Sequence, residues 1–189
     1  MAKRKVYRIG IVGSAGVGKS SLGLALSEKL GIPFLCSKDV TLDILKSEGY
    51  DYSSGVQVER FLAQGGRQDK IFKRTIDAES SNPSFVSDRT VIDLMAYSIA
   101  ELYYSDPQKV GKCFEQYAEH TNRYTHLFFC AWGQKPLIDN KVRTLNPWYQ
   151  FIIHSLELGI LEVWNLDYHV LDATDDDGRV KEITEILAL

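Results

Sequence analysis

The chain has little of what would place it outside a reducing compartment or in a membrane. It has three cysteines in 189 residues, Cys36, Cys113 and Cys130. An odd count without close spacing excludes a disulfide framework and the usual cysteine zinc site. Cys36 and Cys130 lie in apolar runs and are expected to be buried. The four histidines, His120, His126, His154 and His169, show no metal-ligand spacing. No apolar run is long enough to cross a bilayer and no leader segment stands at the start, so no membrane partner is expected and the cytoplasm is the expected compartment. A formal charge of −3 excludes a global pull toward nucleic acid. The one basic concentration, Lys3, Arg4, Lys5 and Arg8, reads as a solvated tail. Repeats, linkers and low-complexity tracts are absent. With 44% hydrophobic and 25% charged residues, the chain reads as one globular domain over 1–189 with an adequate core.

What is present is concentrated near the start. The apolar run VYRIGIV, residues 6–12, feeds GSAGVGKS, residues 13–20, and a helix-forming stretch follows. Strand, Gly-x-x-x-x-Gly-Lys-Ser and helix together form the pattern of a phosphate-binding loop. Glycine lets backbone N–H groups turn toward an anion without Cβ interference, and the helix start adds its positive end. Gly13, Ser14, Ala15, Gly16, Val17, Gly18, Lys19, Ser20 and Ser21 are the expected nucleotide contacts. Lys19 would reach the β- and γ-phosphates of ATP, and the Ser20 hydroxyl would hold Mg²⁺.

Downstream, strands alternate with helices. PFLC (33–36) reads as a second strand and 37–49 as a helix closed by Gly49, with Ser37 or Asp39 as its cap. Lys38 and Asp39 stand where ligands bind in open α/β sheets, or they are capping and surface residues. Residues 56–80 have a helical pattern interrupted at Gly65-Gly66. Arg60 and Arg67 in it would suit a second, anionic ligand. SFVS (84–87) is a third strand, with Asp88 and Arg89 at its end. An Asp there is placed to orient Mg²⁺, and Arg has the planar fork that matches phosphate. Helices are expected from about Thr90 and over 107–122. THLFFCA (125–131) is the clearest strand, apolar enough for burial on both faces. Residues 132–145, with Lys135 and Arg143, form a long polar connection of the kind that acts as a lid. Asn146-Pro147 starts a further helix, YHVL (168–171) is the last strand, and Asp175-Asp176-Asp177 opens the terminal helix. The alternation predicts a three-layer α/β/α fold around a parallel sheet of about five strands.

GSAGVGKS, SDRTVIDLMAY (87–97) and DNKVRTLNPWYQFIIHSLELGI (139–160) together resemble the small P-loop nucleoside and nucleotide kinases. The likeness is greatest to the branch with nicotinamide-riboside kinase-like and phage deoxynucleotide kinase-like proteins. It implies a P-loop NTPase fold with a lid, and ATP and Mg²⁺ as cofactors. If the chain is phage-encoded, it implies the host cytoplasm as its compartment. It further implies Asp88 near Mg²⁺ and the acceptor, Arg89 on the acceptor or transferring phosphoryl group, and Arg143 closing over the triphosphate. The Gly178-Arg179 turn would lie near the adenine, with Arg179 stacked on the base or exposed at the surface. One departure concerns the general base. Relatives acting on a hydroxyl carry an acid just after the second strand, where this chain reads Cys36-Ser37-Lys38-Asp39.

The residues leave three acceptors open. A nucleoside hydroxyl needs a carboxylate base, for which Asp39 or Asp88 would serve. A nucleoside monophosphate is already an oxyanion and needs arginines, supplied by Arg60, Arg67 and Arg89. The absence of a clear acid after the second strand favours a (deoxy)nucleoside monophosphate. A hydroxymethylated pyrimidine in DNA would use the basic N-terminus and stacking tyrosines. The contrasting class is an ATPase or switch with no small acceptor. Its GTPase form lacks both the Asn-Lys-x-Asp and the Asp-x-x-Gly elements.

Overall fold

Alternation along the strands builds the core. In the computed structural model, which describes residues 5–51, 67–136 and 146–189, β1 is Arg8–Val12. Ile9 and Ile11 point to one face of the sheet and Val12 to the other. Helix α1, Lys19–Leu30, follows the Gly-rich loop, and β2 is Phe34–Leu35. Then come α2, Ser37–Ser47, and α3, Arg67–Ser80. Strand β3, Phe85–Ser87, leads into α4, Val91–Leu102. Helix α5, Pro107–Glu119, and a 3-10 turn, Thr121–Arg123, precede β4, His126–Phe129. Helix α6 is Pro147–Val163, β5 is His169–Val170, and α7 is Asp176–Ile186.

All pairings are parallel, in the order β2-β3-β1-β4-β5. The registers Ile9 with Val86 and Ile11 with Phe128 align the carboxyl ends of β1, β3 and β4. Leu22, Leu26, Ile183 and Leu187 from α1 and α7 cover one face with Ile9, Ile11 and Phe128. Residues of α2 to α6 cover the other, with Val12, Leu127 and Phe129. Leu127, Phe128 and Phe129 are therefore buried whichever way they point, with His126 half-buried at the start of the strand, and this is why LFF within THLFFCA lacks polar alternation. The three-layer α/β/α fold with five parallel strands is as the pattern predicts.

The crossover after β1 runs to β2 on one side, and the chain after β3 passes to β4 on the other. The two connections leave the aligned carboxyl ends in opposite directions, the place where an open α/β sheet forms its crevice. The Gly-rich loop and Asp88 meet at that crevice.

Candidate active site

The loop takes its shape from glycine. Gly13, Gly16 and Gly18 have φ of +148°, +95° and +90°, conformations costly for other residues. At Gly13 a Cβ would also meet the Cys130 carbonyl at 2.6 Å, so only hydrogen fits. Val17 anchors the loop in the core beneath it. Ser14 is buried, with a hydroxyl that meets no partner, and the Ala15 N–H is held by Gln150 Oε1 at 3.0 Å. The Lys19 ammonium folds back onto the carbonyls of Gly13 and Ser14 and lies 3.4 Å from Asp93 Oδ1. Burial pulls the pKa of Lys19 down, but its acidic surroundings, Asp93 foremost, more than reverse this, so it stays charged.

Asp88 is the junction of the site. It is 1% exposed. The Ser20 hydroxyl donates to its Oδ2, and the Ser37 N–H donates to its Oδ1 at 2.6 Å. This corrects the expected cap of α2. Neither Ser37 nor Asp39 caps the helix; Cys36 holds the N-cap position without a side-chain bond, and Asp88 satisfies the first donor from across the crevice. Cys36 is only half-buried, not fully, because it too faces this crevice, 4.0 Å from Asp88.

The Asp-Arg-x-x-x-Asp-x-x-x-Tyr spacing acquires a physical meaning. Asp93 and Tyr97 lie four apart on one face of α4, and Arg89 stands just ahead of its N-cap, Thr90. The Arg89 guanidinium lies 5.0 Å from the Tyr97 ring centroid. Asp93 Oδ2 accepts from the Thr90 N–H at 2.9 Å and hydroxyl at 2.7 Å, a capping box that starts α4. Its other oxygen faces Lys19. One carboxylate thus starts a helix and holds the loop lysine.

Other expected residues are placed differently. Lys38 and Asp39 stand exposed in the first turn of α2. Arg67 pairs with Glu101, which also accepts from Gln68 at 3.1 and 3.2 Å, so Arg67 is engaged with α4. Arg179 is neither a base-stacking residue nor a surface one. It is 0% exposed, in the first turns of α7, and donates to Val17 O at 2.7 Å, Gln134 Oε1 at 2.7 Å and Ala173 O at 2.9 Å. Gly178-Arg179 is likewise helix, not turn. Arg60, Arg143 and the lid beyond Pro136 lie outside the described residues.

Four residues of the site escape the sequence reading. Lys135, expected in the lid, lies over the loop: a Cβ on Gly18 would meet its Nζ at 2.7 Å. It pairs with Asp176 Oδ1 at 2.5 Å. Burial pushes Asp176 up, but bonds from Lys135 and Ser21 outweigh it and hold the carboxyl below its usual range. Gln150 and Glu157 reach the loop region from α6. Their signal was two polar residues on the buried stripe of Ile153, Ile160 and Leu161, where apolar side chains belong.

A family model described as an AAA domain matches residues 8–179. The chain belongs to this AAA domain family. No curated protein matches it. Several solved structures share its fold at low identity. The NadR protein in complex with NR is 13% identical with a TM-score of 0.68, over 97% of this chain and 51% of that one. Deoxyadenosine kinase of M. mycoides with bound dATP is 15% identical with a TM-score of 0.61, over 96% and 100%. Thymidylate kinase of Ehrlichia chaffeensis is 14% identical with a TM-score of 0.59, over 97% and 100%. The resemblance to small P-loop kinases therefore holds at the level of fold across the described AAA domain.

Proposed function

We propose that the chain is an ATP-dependent phosphotransferase that moves the γ-phosphate of Mg·ATP to a nucleotide or nucleoside, with a (deoxy)nucleoside monophosphate as the leading acceptor. The observation that carries this reading is the convergence of Lys19, Arg89 and Asp88 on one crevice with the Gly-rich loop. Residues present fit both cofactors. The loop turns on three glycines at positive φ, the backbone shape that lets N–H groups aim at an anion, and its lysine is charged. Gly16, Gly18, Lys19, Ser20 and Ser21 would hold the triphosphate. Ser20 and Asp88, already bonded to each other, would hold Mg²⁺, which supplies charge neutralisation across the phosphates.

Transfer between phosphates needs alignment and cations more than covalent chemistry. Lys19 would leave its carbonyl contacts to meet the phosphates. Arg89, beside the Tyr97 ring, would present its fork to the acceptor or the transferring group. Lys135 adds a third cation over the loop, and Arg143 and Arg60 keep their proposed roles. Asp39 stands exposed, and Asp88 is engaged by Ser20 and Ser37, an arrangement that suits an acceptor needing no base.

The test is release of ADP from Mg·ATP against deoxynucleoside monophosphates, nucleosides including nicotinamide riboside, shikimate, and DNA with and without hydroxymethylated pyrimidines. Stimulation by monophosphates, with phosphate gained by the acceptor, is expected. Stimulation by nucleosides alone, or by DNA alone, would replace the acceptor. Slow release indifferent to every acceptor would replace the kinase reading with an ATPase or switch. Asp39→Asn should leave monophosphate turnover within a fewfold. A loss of about a hundredfold would make Asp39 a base and point to a hydroxyl acceptor.

A further inference from the structure

Behind the loop lies an acidic pair that the proposed reaction does not use. Glu157 on α6 is 0% exposed, and neither of its oxygens meets a donor. Asp93 on α4 is 1% exposed. Thr90 satisfies its Oδ2; its Oδ1 has no hydrogen-bond donor and faces the Lys19 ammonium. Each buried carboxylate costs several kcal/mol in order of magnitude, and a single lysine at 3.4 Å does not compensate two. Helices α4 and α6 pack against each other, and between them Asp93 and Glu157 leave three oxygens without a donor. Two bare carboxylates have only acceptors to offer, so a hydrogen bond between them requires a proton.

The surroundings favour this. The charged and titratable groups facing Glu157 are Lys19 on α1, Arg89 at the end of β3, and Asp93 and Tyr97 on α4. Burial first and Asp93 second push Glu157 well above the usual carboxylate range; Lys19 and Arg89 oppose without reversing it.

We infer that Glu157 is a positioning residue: it carries a proton at neutral pH, donates it to Asp93, and so sets how firmly Lys19 is held before nucleotide arrives. The inference rests on the nucleotide-binding reading above. With the proton in place, the pair presents one negative charge to Lys19. An incoming phosphate draws Lys19 away from Asp93. The pair then loses its cation and gains a nearby anion, and both changes favour proton binding. Where the unliganded pair has begun to lose its proton, nucleotide binding therefore takes up a proton from solvent. At higher pH two carboxylates grip Lys19, and affinity falls.

Two measurements test this. The infrared spectrum of the unliganded protein at pH 8, where Glu79 is mostly ionised (its pKa is about 7), should show a protonated-carboxyl band that Glu157→Gln removes. Calorimetry of ATP binding between pH 8 and 9.5, in buffers of different ionisation enthalpy, should show proton uptake and affinity falling with pH. Glu157→Gln, whose amide N–H still donates to Asp93, should abolish the uptake and flatten the profile, with pH 8 affinity within about threefold of wild type. Glu157→Leu leaves the whole Asp93 charge on Lys19 and should weaken binding about tenfold, or 1.4 kcal/mol. A band unchanged in Glu157→Gln, uptake that persists in it, or equal weakening by Gln and Leu would overturn the inference, the last by reducing Glu157 to packing. If wild type binds no nucleotide, the nucleotide reading falls, and the infrared band alone decides whether the pair shares a proton.

Discussion

Glu79 shows how one residue can tie stability to pH. It lies on α3, 1% exposed, and accepts from the Tyr124 hydroxyl at 2.9 Å while its other oxygen meets no donor. Burial pushes its pKa from 4.5 up to about 7, against smaller opposing pulls from Tyr124 and Arg123. The folded value lies above the unfolded one, so the contribution is fully present below pH ~4.5 and lost as pH rises through ~7. A Gln at this position stays neutral throughout and can still accept from Tyr124. The stability advantage of Glu79→Gln over wild type should therefore grow by about 3 kcal/mol between pH 4 and pH 8. Urea unfolding across that range checks it. A difference that stays flat would mean that Glu79 ionises in place at little cost. At the same scale, Asp93 explains a motif residue whose role spacing alone leaves open, since it caps α4 with one oxygen and faces Lys19 with the other.

Between elements, the site is held by side chains that cross layers. Arg179 joins α7 to the carbonyl of Val17 in the loop and to Gln134 beyond β4. Gln150 joins α6 to the Ala15 N–H. Asp88 joins β3 to the first turns of both α1 and α2. Replacing Arg179 by Met would leave three carbonyl acceptors without a donor, two of them on the loop side of the sheet. We expect a loss of about 3 kcal/mol and weaker nucleotide binding. Arg179→Lys should recover little, because one ammonium does not reproduce three fixed N–H directions. Denaturant midpoints for both variants check this; recovery by Lys would show that charge, not the planar fork, is what the loop requires. Capping follows the same logic. The first turn of α2 has no side-chain cap of its own, and its first donor is satisfied from another strand.

For the whole molecule, ligand binding should appear as stability. A nucleotide bound only by the folded chain adds about 2.7 kcal/mol at a hundred times its Kd, which for a chain of this length raises Tm by roughly 5–10 °C. Thermal unfolding with Mg·ATP checks this. Lys19→Met should fold but lose most of the shift; a variant that keeps it would show that the loop holds phosphate through backbone N–H groups alone. No described helix is long and apolar enough to cross a membrane.

Local patterns were enough for the architecture. A strand buried on both faces must read as a continuous apolar run, and a phosphate loop must place glycine where φ is positive, so THLFFCA and GSAGVGKS were legible without coordinates. The same holds for the helix start near Thr90 and for the acidic start of α7, because helix starts are made by neighbours in sequence. Long-range partnerships were not legible. Nothing local says that Arg179, 162 positions from Val17, lies under the loop rather than on a base. Nor does anything local say that Glu101 occupies Arg67, or that Glu157 faces Asp93. The sequence by itself determined which segments are strands, helices and phosphate loop, because those follow from backbone conformation and short-range periodicity. Only the tertiary structure decided which charges meet, because burial and pairing depend on the layers that close over them.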